Sequence, residues 1–332
     1  MRNSFDLVSI GDTVTDAFIR LKEASVHCTI DREKCEICMR FADKIPYESV
    51  TIVPAVGNSA NAAVAAVRLG LRSALVSNVG DDYFGKECLD ALAAERVGTE
   101  FVRANVGQKT NYHYVLWYED DRTILIKHEE YAYALPDIGE PRWLYLSSLG
   151  GNALAFHGEI ERYLAAHPSV KLAFQPGTYQ IKFGKDALAG LYRRSDVFIC
   201  NTDEARRILG VEEKDVQKLM QGLASLGPRI VSVTDGPKGA YAYDAGSEQA
   251  WFMPPYPDPK PPYERTGAGD AFSATLVAAL ALGKNLEEAL TWAPINSMSV
   301  VQQIGARAGL LTKPQLKEWL AKPATGYHPR PL

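Results

Sequence analysis

The sequence predicts a doubly wound α/β domain: a mainly parallel sheet between two helical layers, with a small β-sheet inserted near its start. Three observations predict it. From Trp143 onward, strand-like and helix-like stretches alternate, as they do when crossover helices join parallel strands. The chain opens on a short apolar run, residues 5–10, that ends in Gly11-Asp12. Between that run and Tyr131, β-branched and aromatic residues gather in two places and read as additional strands.

Taken in order, residues 14–30 and 37–56 form a hairpin or small sheet about the charged turn 31–34. Residues 58–69 (N-S-A-N-A-A-V-A-A-V-R-L) are small and apolar, a closely packed helix ended by Gly70. Residues 74–79 read as a buried strand and 84–95 as a helix. Residues 110–117 and 122–128 flank the turn 118–121 as a hairpin. Strands follow at 143–147, 170–174, 197–200 and 229–234, with helices at 153–166, 186–193, 202–209 and 215–226. Residues 241–243 and 250–253 make a further strand pair, and the proline-dense stretch 254–262 is a loop. Helices are expected at 285–292, 296–303 and 313–321, and 327–332 reads as a loose tail. With no internal repeat, residues 1–332 are expected to be one domain.

Bulk properties exclude several functions. The net charge is −4, so no basic field favours nucleic acid or anionic lipid. No apolar stretch is long enough to span a membrane, and the start resembles no signal peptide, so a cytoplasmic location is expected. The five cysteines (Cys28, Cys35, Cys38, Cys88, Cys200) are too few and too odd in number for a disulfide framework. His27 and Cys28 are adjacent and would face opposite sides of a strand, which favours free thiols over a metal site with Cys35 and Cys38.

The chemistry gathers at strand ends. Residues 265–276 read R-T-G-A-G-D-A-F-S-A-T-L, a glycine-flanked turn, a carboxylate, and then an apolar helix. Unpaired N–H groups at that helix start suit a phosphoryl group. Asp270 would stand beside the anion, where a bare carboxylate is repelled unless it has a task such as taking a proton. A lone G-x-G-D is a weak signal, but others accompany it. Gly11-Asp-Thr-Val-Thr-Asp16 follows the first strand, and Val56-Gly-Asn-Ser-Ala-Asn61 opens the next helix. Asn201-Thr-Asp-Glu204 and Thr234-Asp-Gly-Pro-Lys-Gly239 each follow later strands.

With these motifs, the sequence resembles the ribokinase-like (PfkB) carbohydrate kinases, which move the γ-phosphoryl of ATP to a sugar or nucleoside hydroxyl. The early G-N-S-A-N-A-A and the late T-G-A-G-D-A-F carry most of the resemblance. It implies a ribokinase-like three-layer fold with a β-sheet lid, here residues 14–56 and 108–131, that often pairs with a second subunit. It implies that Asp270 is the general base and that the amides of Gly267, Ala268 and Gly269 form an anion hole. Asn201 and Glu204 would organise magnesium and phosphate through water, and Thr234, Gly236 and Gly239 would form the nucleotide loop. Asp16, Gly57, Asn58 and Asn61 would contact the sugar. ATP and Mg2+ are the implied co-substrate and ion, and a monovalent cation such as K+ activates some members.

The chain also departs from the family pattern. Glu264-Arg265 stand where many members carry aspartate, Gln175-Pro-Gly-Thr178 lacks a common acid, and Asn58 replaces a lysine of some ribokinases.

The same residues admit other readings. Asp12 reads as a turn residue, Asn201 could simply cap a helix, and Lys238 reads as a solvated loop lysine. The cations Lys109, Arg122, Lys127 and His128 read as a solvated strand face; the sharper alternative is a phosphate clamp for a sugar phosphate. Tyr112, Tyr114, Trp117 and Tyr131 could stack on a nucleoside base. A sensor without catalysis is the rival from another class, and the Asp270 carboxylate argues against it. Neither a G-x-x-x-x-G-K-[ST] run nor a G-x-G-x-x-G after the first strand occurs, which excludes P-loop and dinucleotide-binding readings.

Overall fold

A computed structural model describes residues 5–28, 35–119 and 121–332. Ten strands form the main sheet, in the order Arg330–Pro331, Gln249–Met253, Ala240–Asp244, Ile230–Thr234, Val197–Asn201, Lys171–Phe174, Trp143–Leu146, Leu7–Ile10, Ser73–Gly80, Val102–Asn105. Every pairing from Ile230–Thr234 to Val102–Asn105 is parallel, and the first three strands add an antiparallel edge. Parallel strands covered on both faces have no solvent side, so they read as unbroken apolar runs: Leu7–Ile10 and Trp143–Leu146 are buried at every position.

Two apolar cores lie on the two faces. One packs Asn58–Arg68, Tyr83–Ala94, Ala268–Ala281 and Leu286–Val300; the other packs Leu154–Ala166, Ala189–Arg194, Thr202–Leu209 and Val216–Ala224. The small side chains of Asn58–Arg68 let it approach Ala268–Ala281 closely, so the N-termini of these two helices converge on one point.

A separate four-stranded sheet, Tyr47–Val56, Val14–Leu21, Tyr112–Tyr118 and Asp121–Leu125, forms the expected inserted sheet. In it Asp16 is the direct cross-strand partner of His113. On the opposite face Ile52, Ala17, Tyr114 and Leu125 stand in one cross-strand row.

Three expectations need correction. The strands Ser25–Cys28 and Cys35–Cys38 pair antiparallel, which sets Cys28 across from Cys35, and the two form a disulfide. Cysteine count alone could not see that two residues flanking a turn face each other; Cys38, Cys88 and Cys200 remain thiols. The turn 31–34 itself and residue 120 lie outside the described residues. Leu286–Val300 is one helix through Pro294, not two. Proline removes one helical N–H, and burial of Ala289, Leu290, Ala293 and Ile295 against the neighbouring helix holds the two halves together. Residues 178–183 form a short helix, and Val102–Asn105 a strand, that the pattern did not single out.

The chain end is not loose. Arg330–Pro331 adds an edge strand, and Tyr327 is buried, its ring edge-on to Tyr256 and its hydroxyl donating to Thr291 O at 2.6 Å. Tyr327→Ala is therefore expected to cost about 3 kcal/mol or more of stability in a denaturant titration, the range for deleting a buried aromatic ring.

Candidate active site

Two cavities meet at the turn that opens the helix Ala268–Ala281. One, of about 290 Å³, is lined by Asp12, Asp16, Gly57, Asn58, Asn61 and Asp270, with lid and loop residues closing over it. The other, of about 320 Å³, is lined by Thr234, Gly236, Gly239, Ala268 and Gly269 among others. The turn is the partition between them.

Its backbone is fixed by two features. Gly267, the N-cap, has φ +83°, and a β-carbon there would stand within 2.5 Å of Ala306 Cα. Only glycine satisfies both demands. Just ahead, Glu264 is buried and accepts from the amides of Thr266 (2.7 Å) and Gly305 (3.3 Å). Arg122 reaches from the lid to within 3.8 Å of Glu264. Glu264 therefore tethers the turn rather than facing solvent.

Asp270, in the first helical turn, is held by neutral amides alone. Asn58 donates to Oδ1 at 2.9 Å, Asn61 to Oδ2 at 2.8 Å, and Gln175 to Oδ1 at 3.3 Å. Asn58 and Asn61 share a helix face three residues apart, which aims both at one carboxylate. That helix begins at Gly57, φ +108°, where a β-carbon would press on Asp12 O at 2.7 Å. Gln175, at the position lacking the expected acid, supplies a donor to Asp270 in its place. Burial pushes the Asp270 carboxyl above its ordinary range, against the lowering pull of the Asn61 and Gln175 hydrogen bonds; Asp16 adds to the rise and Arg122 opposes it.

The remaining predicted residues divide. Asn201 caps Thr202–Leu209, accepting from Glu204 N at 2.8 Å while Glu204 Oε2 accepts from Asn201 N at 2.9 Å. This reciprocal cap accounts for both side chains locally. They border the second cavity without lining it, since Asn201 is the parallel partner of Thr234. Burial raises the Glu204 carboxyl above its ordinary range, with the nearby Asp270 charge among the smaller contributions. Lys238 is exposed and pairs with Asp235 at 3.3 Å.

Several site residues were missed. Asp12 is no turn residue: it is buried, lines the first cavity, and accepts from Tyr133 OH at 2.9 and 3.0 Å. The cation cluster does not act as one group. Lys109 and Lys127 are exposed, with Lys127 paired to Glu129 at 2.7 Å, and Arg122 faces Glu264. Only His128 turns into the first cavity, joined there by His113. Only the parallel pairing of Tyr112–Tyr118 with Val14–Leu21 sets His113 beside Asp16. Tyr112, Tyr114, Trp117 and Tyr131 line neither cavity; Trp117 packs on Tyr263 and Tyr131 donates to Lys109 O. No cluster of three or more His, Cys, Asp or Glu able to hold a metal occurs among the described residues, and no helix among them is long and apolar enough to cross a membrane.

The fold is that of the ribokinase-like kinases. It superimposes on the structure of Arabidopsis thaliana ribokinase complexed with ribose and ATP with a TM-score of 0.78, at 21% identity, covering 97% of this chain and 100% of that one. A nucleoside kinase of Methanocaldococcus jannaschii gives 0.75 at 17% identity, covering 96% and 99%. In sequence, the chain is 26% identical over 274 residues to the ribokinase of Bacillus subtilis, spanning 80% of this chain and 87% of that protein. The family profile described as pfkB family carbohydrate kinase matches residues 25–313, so the chain belongs to that family. It is a phosphotransferase of the carbohydrate-kinase class.

Proposed function

We propose that the protein transfers the γ-phosphoryl of ATP to a hydroxyl of a sugar, with Asp270 as general base and the amides of Gly267, Ala268 and Gly269 as the anion hole. The observation that carries this reading is the pair of cavities meeting at residues 268–270. The acceptor lies in the Asp16, Gly57, Asn58, Asn61 cavity and the nucleotide in the Thr234, Gly236, Gly239 cavity. The acceptor hydroxyl gives its proton to Asp270 as its oxygen bonds to the γ-phosphorus. The bond to the bridging oxygen breaks and ADP leaves. Main-chain donors fixed in place by Glu264 and Gly267 stabilise charge on the moving group without reorganising, which is what this reaction asks of a protein. The lid keeps competing water away. Magnesium, when bound, neutralises phosphate charge; Glu204, with one oxygen held in its cap, suits a contact through water.

A coupled ADP-release screen over sugars, sugar phosphates and nucleosides, with and without potassium, tests the assignment. Release dependent on an acceptor supports it, and none with any acceptor sinks it. Because Asp270 must be ionised to take a proton, kcat/KM for the acceptor is expected to fall on acidification. The midpoint should lie above the ordinary aspartate value of about 4, and a pH–rate profile measures it. The outer lid row of Ile52, Tyr114 and Leu125 is exposed and apolar, and suits a second copy of the chain. Sedimentation of the wild type and an Ile52→Glu variant tests that pairing.

A further inference from the structure

The cavity that holds Asp270 carries buried polar atoms with no partner. Asp16 Oδ1 and Asn61 Oδ1 are both buried and unpaired, and so is Nε2 of His113. The first two accept hydrogen bonds only, since the Asn61 amide nitrogen is committed to Asp270. His113 Nδ1 faces Asp16 Oδ1 at 3.4 Å, and His128 Nδ1 faces Asp12 Oδ2 at 3.3 Å. The 3.4 Å approach of His113 lacks hydrogen-bond alignment, so Asp16 Oδ1 still asks for a donor, and the free His113 Nε2 can meet a hydroxyl as donor or acceptor. The wall thus holds oxygen acceptors that ask for donors, which hydroxyl groups are, beside a ring nitrogen that a hydroxyl can meet in either role.

The charge points the same way. Asp12, Asp16 and Asp270 all line this cavity, whereas no lysine or arginine among the described residues does. Asp12 is already satisfied by Tyr133, whose hydroxyl burial and the Asp12 charge keep protonated, and by His128. A phosphate ester or a sugar acid brings negative charge and few donors into this wall, and is rejected on both counts.

We propose that His113 and His128, each beside an aspartate of the wall, are specificity-determining residues of the acceptor pocket, and that with those aspartates they select an uncharged polyhydroxylated acceptor against phosphate esters and carboxylates. His113 reads a hydroxyl directly, together with Asp16 and Asn61. His128 fixes the Asp12 side of the wall. The proposal rests on the kinase reading of the same site and narrows it.

Acceptors matched except for an anionic group test it, for example fructose against fructose 6-phosphate and glucose against glucuronate. In ADP release, the neutral member of the productive pair is expected to exceed its anionic partner by at least about a hundredfold in kcat/KM. His113→Phe is expected to raise the acceptor KM about tenfold or more and to leave the ATP KM unchanged, while His113→Gln, which keeps a polar atom, recovers part of the loss. An anionic acceptor preferred over its neutral parent overturns the proposal. So does an acceptor KM untouched in both His113→Phe and His128→Phe. If no acceptor releases ADP, the kinase reading fails and calorimetric binding decides this one. Binding of a neutral polyol that weakens in His113→Phe sustains it; a stronger anionic ligand, or no polyol binding, overturns it.

Discussion

Asp270→Asn is expected to slow turnover at least about a hundredfold while ATP binding is largely retained. The substitution keeps the shape of the side chain and removes only its ability to take a proton. Its surroundings tolerate the change. Asn58 and Gln175 still meet an oxygen, and Asn61 can turn its unpaired Oδ1 toward the new amide. The site therefore stays assembled and the loss reports chemistry.

A second readout comes with it. Burial holds the folded-state Asp270 carboxyl above its ordinary value. In the unfolded chain the same group ionises at its ordinary, lower pKa. Between the two values the folded state keeps a proton that the unfolded state has lost, so this group's contribution to stability declines as pH rises through that window. At neutral pH, Asp270→Asn removes that penalty, and its Tm is expected to exceed the wild-type value. A variant that is both inactive and more stable is what a functional buried carboxylate predicts. A variant with a lower Tm and near-normal turnover would mark Asp270 as structural.

The other large effect concerns the turn. Gly267→Ala is expected to abolish most activity, about a hundredfold or more, and to cost roughly 2–5 kcal/mol of stability. The methyl group would collide with Ala306 and force a backbone out of the left-handed region it now occupies at φ +83°. Gly269→Ala separates the two causes. A β-carbon at Gly269 meets nothing within 4 Å, and its φ is ordinary. Alanine is the better helix former by about 1 kcal/mol, so this variant should be at least as stable as the wild type. Its methyl group nevertheless stands at the wall between the two cavities, where the proposed transfer takes place. A fall in kcat with no loss of Tm is expected, measured by ADP release beside thermal unfolding. Unchanged kcat in Gly269→Ala would mean that the phosphoryl group does not pass that wall.

Much of this was readable in the sequence because strand-end motifs are local. Gly57, Asn58 and Asn61 share one helix turn, and Gly267 to Asp270 another, so their spacing already fixed which atoms face together. What escaped was set by register between distant strands. Asp16 meets His113 only because Val14–Leu21 pairs in parallel with Tyr112–Tyr118. Likewise Asp12 becomes a cavity residue through Tyr133 and His128, each more than a hundred positions away. The Cys28–Cys35 bridge needed the hairpin register, and the docking of Tyr327 needed a core built by helices elsewhere. Cation clustering misled as well. The strand ends at Leu125, so Lys127 and His128 lie in the segment beyond it, where Lys127 is exposed and His128 turns into the cavity.

The claim on which the rest depends is that one carboxylate and one glycine turn act on the same transferring group. A crystal structure with ADP, a planar phosphoryl mimic such as aluminium fluoride, and the best neutral acceptor tests it most directly. The account predicts the acceptor hydroxyl within hydrogen-bond distance of Asp270 and the mimic against the amides of residues 267–269, in line with ADP. A mimic bound away from that turn, or an acceptor hydroxyl turned from Asp270, would contradict it.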